Sequence, residues 1–256
     1  MAQRERLLAI DTIPAPVRLT VSARARRLSM RLDVVTGDLR VTVPRGVREA
    51  DVRDFVRRNG GWAEQRLGAL PPARPFADGI AVPVRGTDRA IRHDPAHRGR
   101  VRIDADAIVV GGAPEFLARR VRDALREEAR RLLSEASREK ADALGRPVRA
   151  VTVRDTVSRW GSCAHDGRLS YSWRLVMAPP FVLDYVVGHE VAHLAEMNHS
   201  ARFWRTVERL TPHVEAGRAW LEHHGPALLR IGGGPRSPRP AADGARGDGA
   251  VPRGGG

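Results

Sequence analysis

His189 and His193 stand four residues apart, with Glu190 directly after the first. On a helix that spacing puts the two imidazoles one turn and about 40° apart, so both can present a nitrogen to one cation. Glu190 lies one step round the helix, within reach of a water on that cation without being a ligand itself. These residue types at this spacing form the H-E-x-x-H arrangement, with the glutamate as general base. A catalytic zinc takes three protein ligands and keeps one position open. His199, six residues beyond His193, is the best third candidate. A continuing helix would point it away, so the helix is predicted to end soon after Glu196 and turn back. Asn198 can take the left-handed conformation such a turn uses. Glu196, seven residues from His189, returns to nearly the same face. It is open to three readings: a carboxylate orienting a ligand histidine, a competing ligand, or a solvated or capping side chain.

The elements that must position these groups are legible from periodicity. In the first half, Val17, Leu19 and Val21 alternate with polar residues, as do Leu28, Met30 and Leu32, then Leu39, Val41 and Val43. Alternation of this kind marks strands with one buried face, and Thr36-Gly37-Asp38 predicts a hairpin between the second and third. A short helix is predicted from about Arg48, ended by Asn59-Gly60-Gly61. Short strands follow near residues 80–84, 89–92, 101–103 and 107–110. The second half opens with a long helix over about 114–144, whose stripe is Leu117, Val121, Leu125, Leu132 and Ala136. Strands are predicted at about 148–154 and 169–175. Pro179-Pro180 then starts the metal helix, and two further helices span about 201–210 and 215–229. The organisation is therefore an α+β chain: a β-rich N-terminal region over residues 1–112, a helical metal-bearing domain over 113–231, and a tail over 232–256. That tail is Gly, Pro, Ala and Arg with almost nothing to bury, which reads as disorder.

The chain has 256 residues and a formal net charge of +14. Lys140 is the only lysine among 44 basic residues. This charge admits polyanion or nucleic-acid contact, although an arginine-rich composition spread over solvated faces accounts for it better, since no compact aromatic-plus-basic pattern accompanies it. Cys163 is the only cysteine, so an internal disulfide and a cysteine zinc cluster are both excluded. No run approaches the roughly 20 apolar residues of a membrane helix, and residues 1–10 lack the pattern of a signal peptide. The expectation is a soluble cytoplasmic protein with no membrane partner.

Several runs carry a family resemblance. Ser158-Arg159-Trp160-Gly161-Ser162-Cys163 precedes a strand ending in Trp173-Arg174-Leu175. Then come Met177-Ala178-Pro179-Pro180, Asp184-Tyr185-Val186-Val187-Gly188-His189-Glu190, and Glu196-Met197-Asn198-His199-Ser200 with Phe203-Trp204 close behind. The chain resembles the YgjP-like metallopeptidase domain, a relative of the SprT-like and other zincin peptidases, strongly over residues 148–221. The resemblance implies a zincin-like metallopeptidase domain, with His189, His193 and His199 as Zn2+ ligands and Glu190 as catalytic base. Val191, where leucine is common, and Ala164-His165-Asp166, in place of a more Ser-rich turn, depart from the pattern without touching the ligands.

The resulting reading is a zinc-dependent metallohydrolase. As a metallopeptidase it would act on peptides or unfolded proteins, with Glu190 activating a zinc-bound water. The alternatives are a metal-dependent nucleoside triphosphate pyrophosphohydrolase, since nucleotide hydrolysis is also associated with YgjP-like proteins, and a nucleic-acid-associated protease. No Walker-type glycine loop and no carboxylate cluster for magnesium supports the former. A purely structural zinc would leave Glu190 without a role. Arg159, Tyr171 and His213 are unranked candidates for supporting an oxyanion. Trp160 to Cys163 reads as a structural turn, Cys163 as a buried inert thiol, Phe203 and Trp204 as a lock on the core, and His223 and His224 as helix-surface residues. The strand over 169–175 is expected beside the metal helix, where an edge position would let an extended peptide pair with it.

Overall fold

The computed structural model describes residues 5–233 and has a β-rich N-terminal region followed by helices, as the periodicity predicts. The expected tail lies outside the described residues from position 234 onward. Among the described residues no helix is long and apolar enough to cross a membrane.

The first sheet contains β1 (Glu5–Leu8), β2 (Val17–Ser22), β3 (Ser29–Leu32) and β4 (Leu39–Pro44) in the order β1-β2-β4-β3. The predicted β3–β4 hairpin is present, with Leu32 opposite Leu39. Val17, Leu19, Leu39, Val41 and Val43 turn inward. They meet α1 (Glu49–Arg58) and α2 (Gly60–Gly68) through Val52, Val56 and Ala63. Asn59 ends α1 as predicted, but the glycines do not end the helical region. The Asn59 carbonyl accepts from the Ala63 N–H at 3.1 Å, and α2 starts at once.

The second sheet, β5 (Ala81–Val84), β6 (Thr87–His93), β7 (Arg102–Ile103) and β8 (Ala107–Val110), runs β5-β6-β8-β7. Val82, Val84, Ile91, Ile108 and Val110 join one apolar cluster with α3 (Leu117–Ala143) and the metal-motif helix. A 3-10 turn over Pro114–Phe116 leads into α3. Its buried stripe starts as expected at Leu117, Val121 and Leu125, then continues through Ala129, Leu133, Ser137 and Ala141. Leu132 and Ala136 lie at its margin, because a repeated four-residue step advances about 40° each time and the buried face winds round this long helix.

The third sheet is β9 (Ala150–Arg154), β10 (Gly161–Cys163) and β11 (Arg168–Ser172), ordered β10-β11-β9. The strand expected over 169–175 stops at Ser172, and Trp173–Met177 forms a 3-10 turn. Residues 171–178 are all buried, so no alternation survives there to mark the change. Three helices complete the chain: α4 (Pro180–Ala192), α5 (Ala201–Leu210) and α6 (Val214–Arg230).

Candidate metal centre

α4 begins at Pro180, where a missing N–H costs nothing. Its body is apolar nearly all round, with Val182, Val186, Val187 and Val191 buried, as befits a helix crossing a core. His189 and Glu190 ride near its end. The helix stops at Ala192 with His193 as its cap, earlier than the stop predicted after Glu196. Leu194 and Ala195 donate to the carbonyls three residues back, at 2.9 and 3.0 Å, which tightens the last turn and ends it. The return is made without a left-handed residue at Asn198. Ser200 then caps α5, its hydroxyl accepting from the Phe203 N–H at 3.4 Å, so the chain is re-anchored directly after His199.

This path brings His189, His193 and His199 together, with one nitrogen of each within 4.8 Å of the others. The Nε2 atoms of His189 and His199 are 3.2 Å apart. Two ligands on a tetrahedral zinc at about 2.0–2.1 Å would be separated by roughly 3.3 Å, so this pair of donors fits such an ion. The His193 Nδ1 lies 3.0 Å from the Glu196 carbonyl, which holds the tautomer that leaves Nε2 free to face its neighbours. Burial, then the charges of His193 and His199, push His189 down to about 4. Burial also lowers His193. Neutral imidazoles with available lone pairs are what a cation requires. The Nδ1 of His189 is buried without a hydrogen-bond partner.

Phe203 packs on all three imidazoles, at 5.0, 4.5 and 4.7 Å between ring centroids, and Trp204 stacks on His199 at 5.9 Å. The pair expected to lock α5 to the core also forms the wall of the histidine cluster. Glu196 takes none of the ligand roles left open for it. Its backbone carbonyl orients His193, while its carboxylate pairs with Arg202 at 2.8 Å.

Glu190 is 7% exposed, and burial pushes its carboxyl up to about 7 against the pull of Arg159. Its neighbour is Gly161. A Cβ at that position would lie 2.5 Å from Glu190 Oε1, so only glycine lets β10 come this close. The Trp160 to Cys163 run, read as a structural turn, is thus an edge strand lying against the motif helix. β11, for which the sequence leaves an edge position open, is the central strand. The loop before β10 is held by the buried Arg174, which pairs with Asp155 and lies 4.6 Å from the Trp173 ring centroid. Cys163 is half-buried rather than buried; burial, with Glu190 and Asp166 nearby, pushes its thiol up to about 11, in keeping with an inert cysteine.

Of the three oxyanion candidates, Tyr171 is buried and bonded to Ser137 at 3.0 Å. His213 packs against Phe181. Arg159 is exposed and close enough to act on Glu190. Sequence reasoning missed the Gly161–Glu190 contact and the placement of Phe203 on the imidazoles. Both join residues on different elements, and the glycine inside the quoted Trp160 to Cys163 run was the one available sign of the first.

Comparison with curated proteins and with solved structures found no match. The model of one family, YgjP-like, metallopeptidase domain, matches residues 28–224, which include both the strand against Glu190 and the histidine cluster, and the chain belongs to that family.

Proposed function

We propose that the chain is a zinc-dependent peptidase that cleaves peptides or unfolded proteins, with His189, His193 and His199 holding the metal and Glu190 as the general base. The observation that carries this reading is the convergence of three imidazoles beside a buried carboxyl group that abuts the edge strand β10. Zinc, when bound, supplies a Lewis acid and lowers the pKa of a water toward about 7.

The chain's own groups supply the rest. The free edge of β10 offers backbone N–H and C=O groups to an extended peptide, laying the peptide's backbone past Glu190. Glu190, with its affinity for a proton raised by burial, takes a proton from the attacking water and delivers it to the leaving amine. Phe203 and Trp204 fix the imidazoles from behind. Arg159, whose charge acts on Glu190, is the group we assign to face developing negative charge.

The test is incubation of zinc-loaded protein with peptides, unfolded proteins and nucleoside triphosphates, read by mass spectrometry, with Glu190→Gln as the blank. Peptide cleavage absent from the variant, which keeps its zinc, is expected. His189→Ala is expected to lose tight zinc binding. Glu190-dependent cleavage of phosphate bonds with peptides intact would overturn the peptidase reading and leave the metal centre standing.

A further inference from the structure

Away from the metal centre, a cleft of about 970 Å³ lies between the β5–β6 hairpin, β7 and one face of α3. Arginines dominate one wall and carboxylates of α3 line the other. Most of these charges are engaged. Arg131 holds Glu128 at 2.8 Å, Arg100 reaches Glu127 at 3.4 Å, and Arg120 donates to the Gly111 carbonyl at 2.7 Å. Arg85 and Arg89 are different. Both lie near enough to Glu128 for their charges to help lower its carboxyl, yet neither guanidinium makes a hydrogen bond to a described residue, and the Arg89 Nε is buried without a partner. A buried guanidinium N–H without an acceptor is costly unless a ligand supplies one.

Arg85 is also the only described residue other than glycine with positive φ, at 53°. With Gly86 at 81° it forms the two-residue turn between β5 and β6. Asn or Gly normally occupies that first position, because another side chain there brings its Cβ too close to the following carbonyl oxygen. The strained turn is pinned in place. Its N–H groups donate to the Val176 and Met177 carbonyls at 2.7 and 3.2 Å, and Gly86 abuts Pro179 at the start of α4. Strain kept at a residue whose side chain faces a cleft points to use of that side chain.

We propose that this cleft binds a compact phosphate-bearing ligand, inorganic phosphate or a small phosphomonoester, through the guanidinium forks of Arg85 and Arg89. Paired guanidinium donors match phosphate oxygens in geometry and charge. A nucleic-acid strand fits less well, because the carboxylates of Asp123, Glu127 and Glu128 line the same cleft and would repel a continuous phosphate backbone. No aromatic side chain lines it for base stacking. The site is distinct from the metal centre: Pro179 and His189 are ten residues apart, about 15 Å along α4.

Isothermal titration of the full chain with inorganic phosphate at constant ionic strength tests this, using Arg85→Gly and Arg89→Met. Wild type should bind one equivalent saturably, and each variant about tenfold or more weakly. Arg85→Gly should melt no lower than wild type, since glycine relieves the positive φ, which separates lost binding from lost folding. Phosphate binding unchanged in both variants, as for phosphate held at the metal, overturns the proposal. So does the absence of saturable binding by wild type at about 10 mM phosphate. A short single-stranded oligonucleotide, run in parallel, overturns the compact-ligand assignment if it binds through these arginines and phosphate does not.

Discussion

The carboxyl of Glu190 is the most perturbed acid of the site, and its burial has a measurable consequence in the metal-free protein. Its folded value, about 7, lies above the ordinary 4.5. Between those values the folded state keeps a proton that the unfolded chain releases. The stability this group contributes is therefore complete below about 4.5 and is lost as pH rises through about 7. Glu190→Gln removes the titration. In chelator-treated protein, urea unfolding should show the variant gaining on wild type by up to about 3 kcal/mol between pH 5 and pH 8. His189, down at about 4, acts in the opposite sense, its contribution present above its ordinary 6.5 and lost toward acid. Both proteins share it, so the difference isolates Glu190. A difference that does not change with pH would mean that the carboxyl titrates as if exposed. Gly161 offers a second measurement. In Gly161→Ala the new methyl meets the carboxylate, and a displaced base of this kind costs about 10²-fold in turnover. Zinc content should be unchanged, and full activity would show that β10 does not set the position of Glu190.

At the scale of elements, the site depends on how α4 and α5 are held together. Lys140 on α3 donates to the Leu210 carbonyl at the end of α5, at 2.6 Å, and pairs at 2.7 Å with Asp184 in α4. Asp184 also accepts from Thr211. One ammonium, with its side chain 14% exposed, thus joins three helices in a chain that otherwise uses arginine. A compact cation suits this junction where a planar fork does not. Lys140→Met should lower stability by about 2–3 kcal/mol in urea unfolding, because Asp184 and the Leu210 carbonyl both lose their partner. It should also weaken zinc binding, since His189 and Phe203 ride on the two helices it joins. Lys140→Arg should restore neither fully. None of this junction was legible in the sequence beyond the oddity of a lone lysine, because its members lie 44 and 70 residues apart. Local signals fared better. Alternation found β2 and β4, Pro179-Pro180 found the start of α4, and the helical spacing of His189 and His193 found the histidine cluster. β1 escaped because its adjacent Leu7 and Leu8 show no alternation of polar and apolar residues. The end of β11 escaped because a chain buried on both faces has no polar side to reveal its geometry.

For the whole molecule, the question is what couples the first sheet to the body that carries the metal motif. The first sheet closes its own apolar cluster with α1 and α2, while the second and third sheets share theirs with α3 and α4. Arg230, the last residue of α6, spans the junction. Its guanidinium donates to the Pro71 carbonyl at 2.9 Å and to those of Val34 and Val35, each at 3.1 Å. The adjacent backbone continues the tie, Ile231 bridging to Arg74 in parallel fashion. A cation satisfying three carbonyls from two separate loops is a directional clasp, unlike the apolar contacts of either cluster. Arg230→Ala frees those carbonyls at a cost of about 1 kcal/mol each, less where water can enter. The loss should be local. Hydrogen exchange should accelerate in residues 33–39, whose β3–β4 turn would lose its partner, and around Pro71. Exchange in α4 and the histidine cluster should stay as in wild type, because they pack within the cluster of α3 and α4 and the smaller one of Ala192, Phe203 and Val207. Uniform acceleration throughout both clusters would show instead that the two fold as one cooperative unit and that Arg230 stabilises the whole rather than the junction.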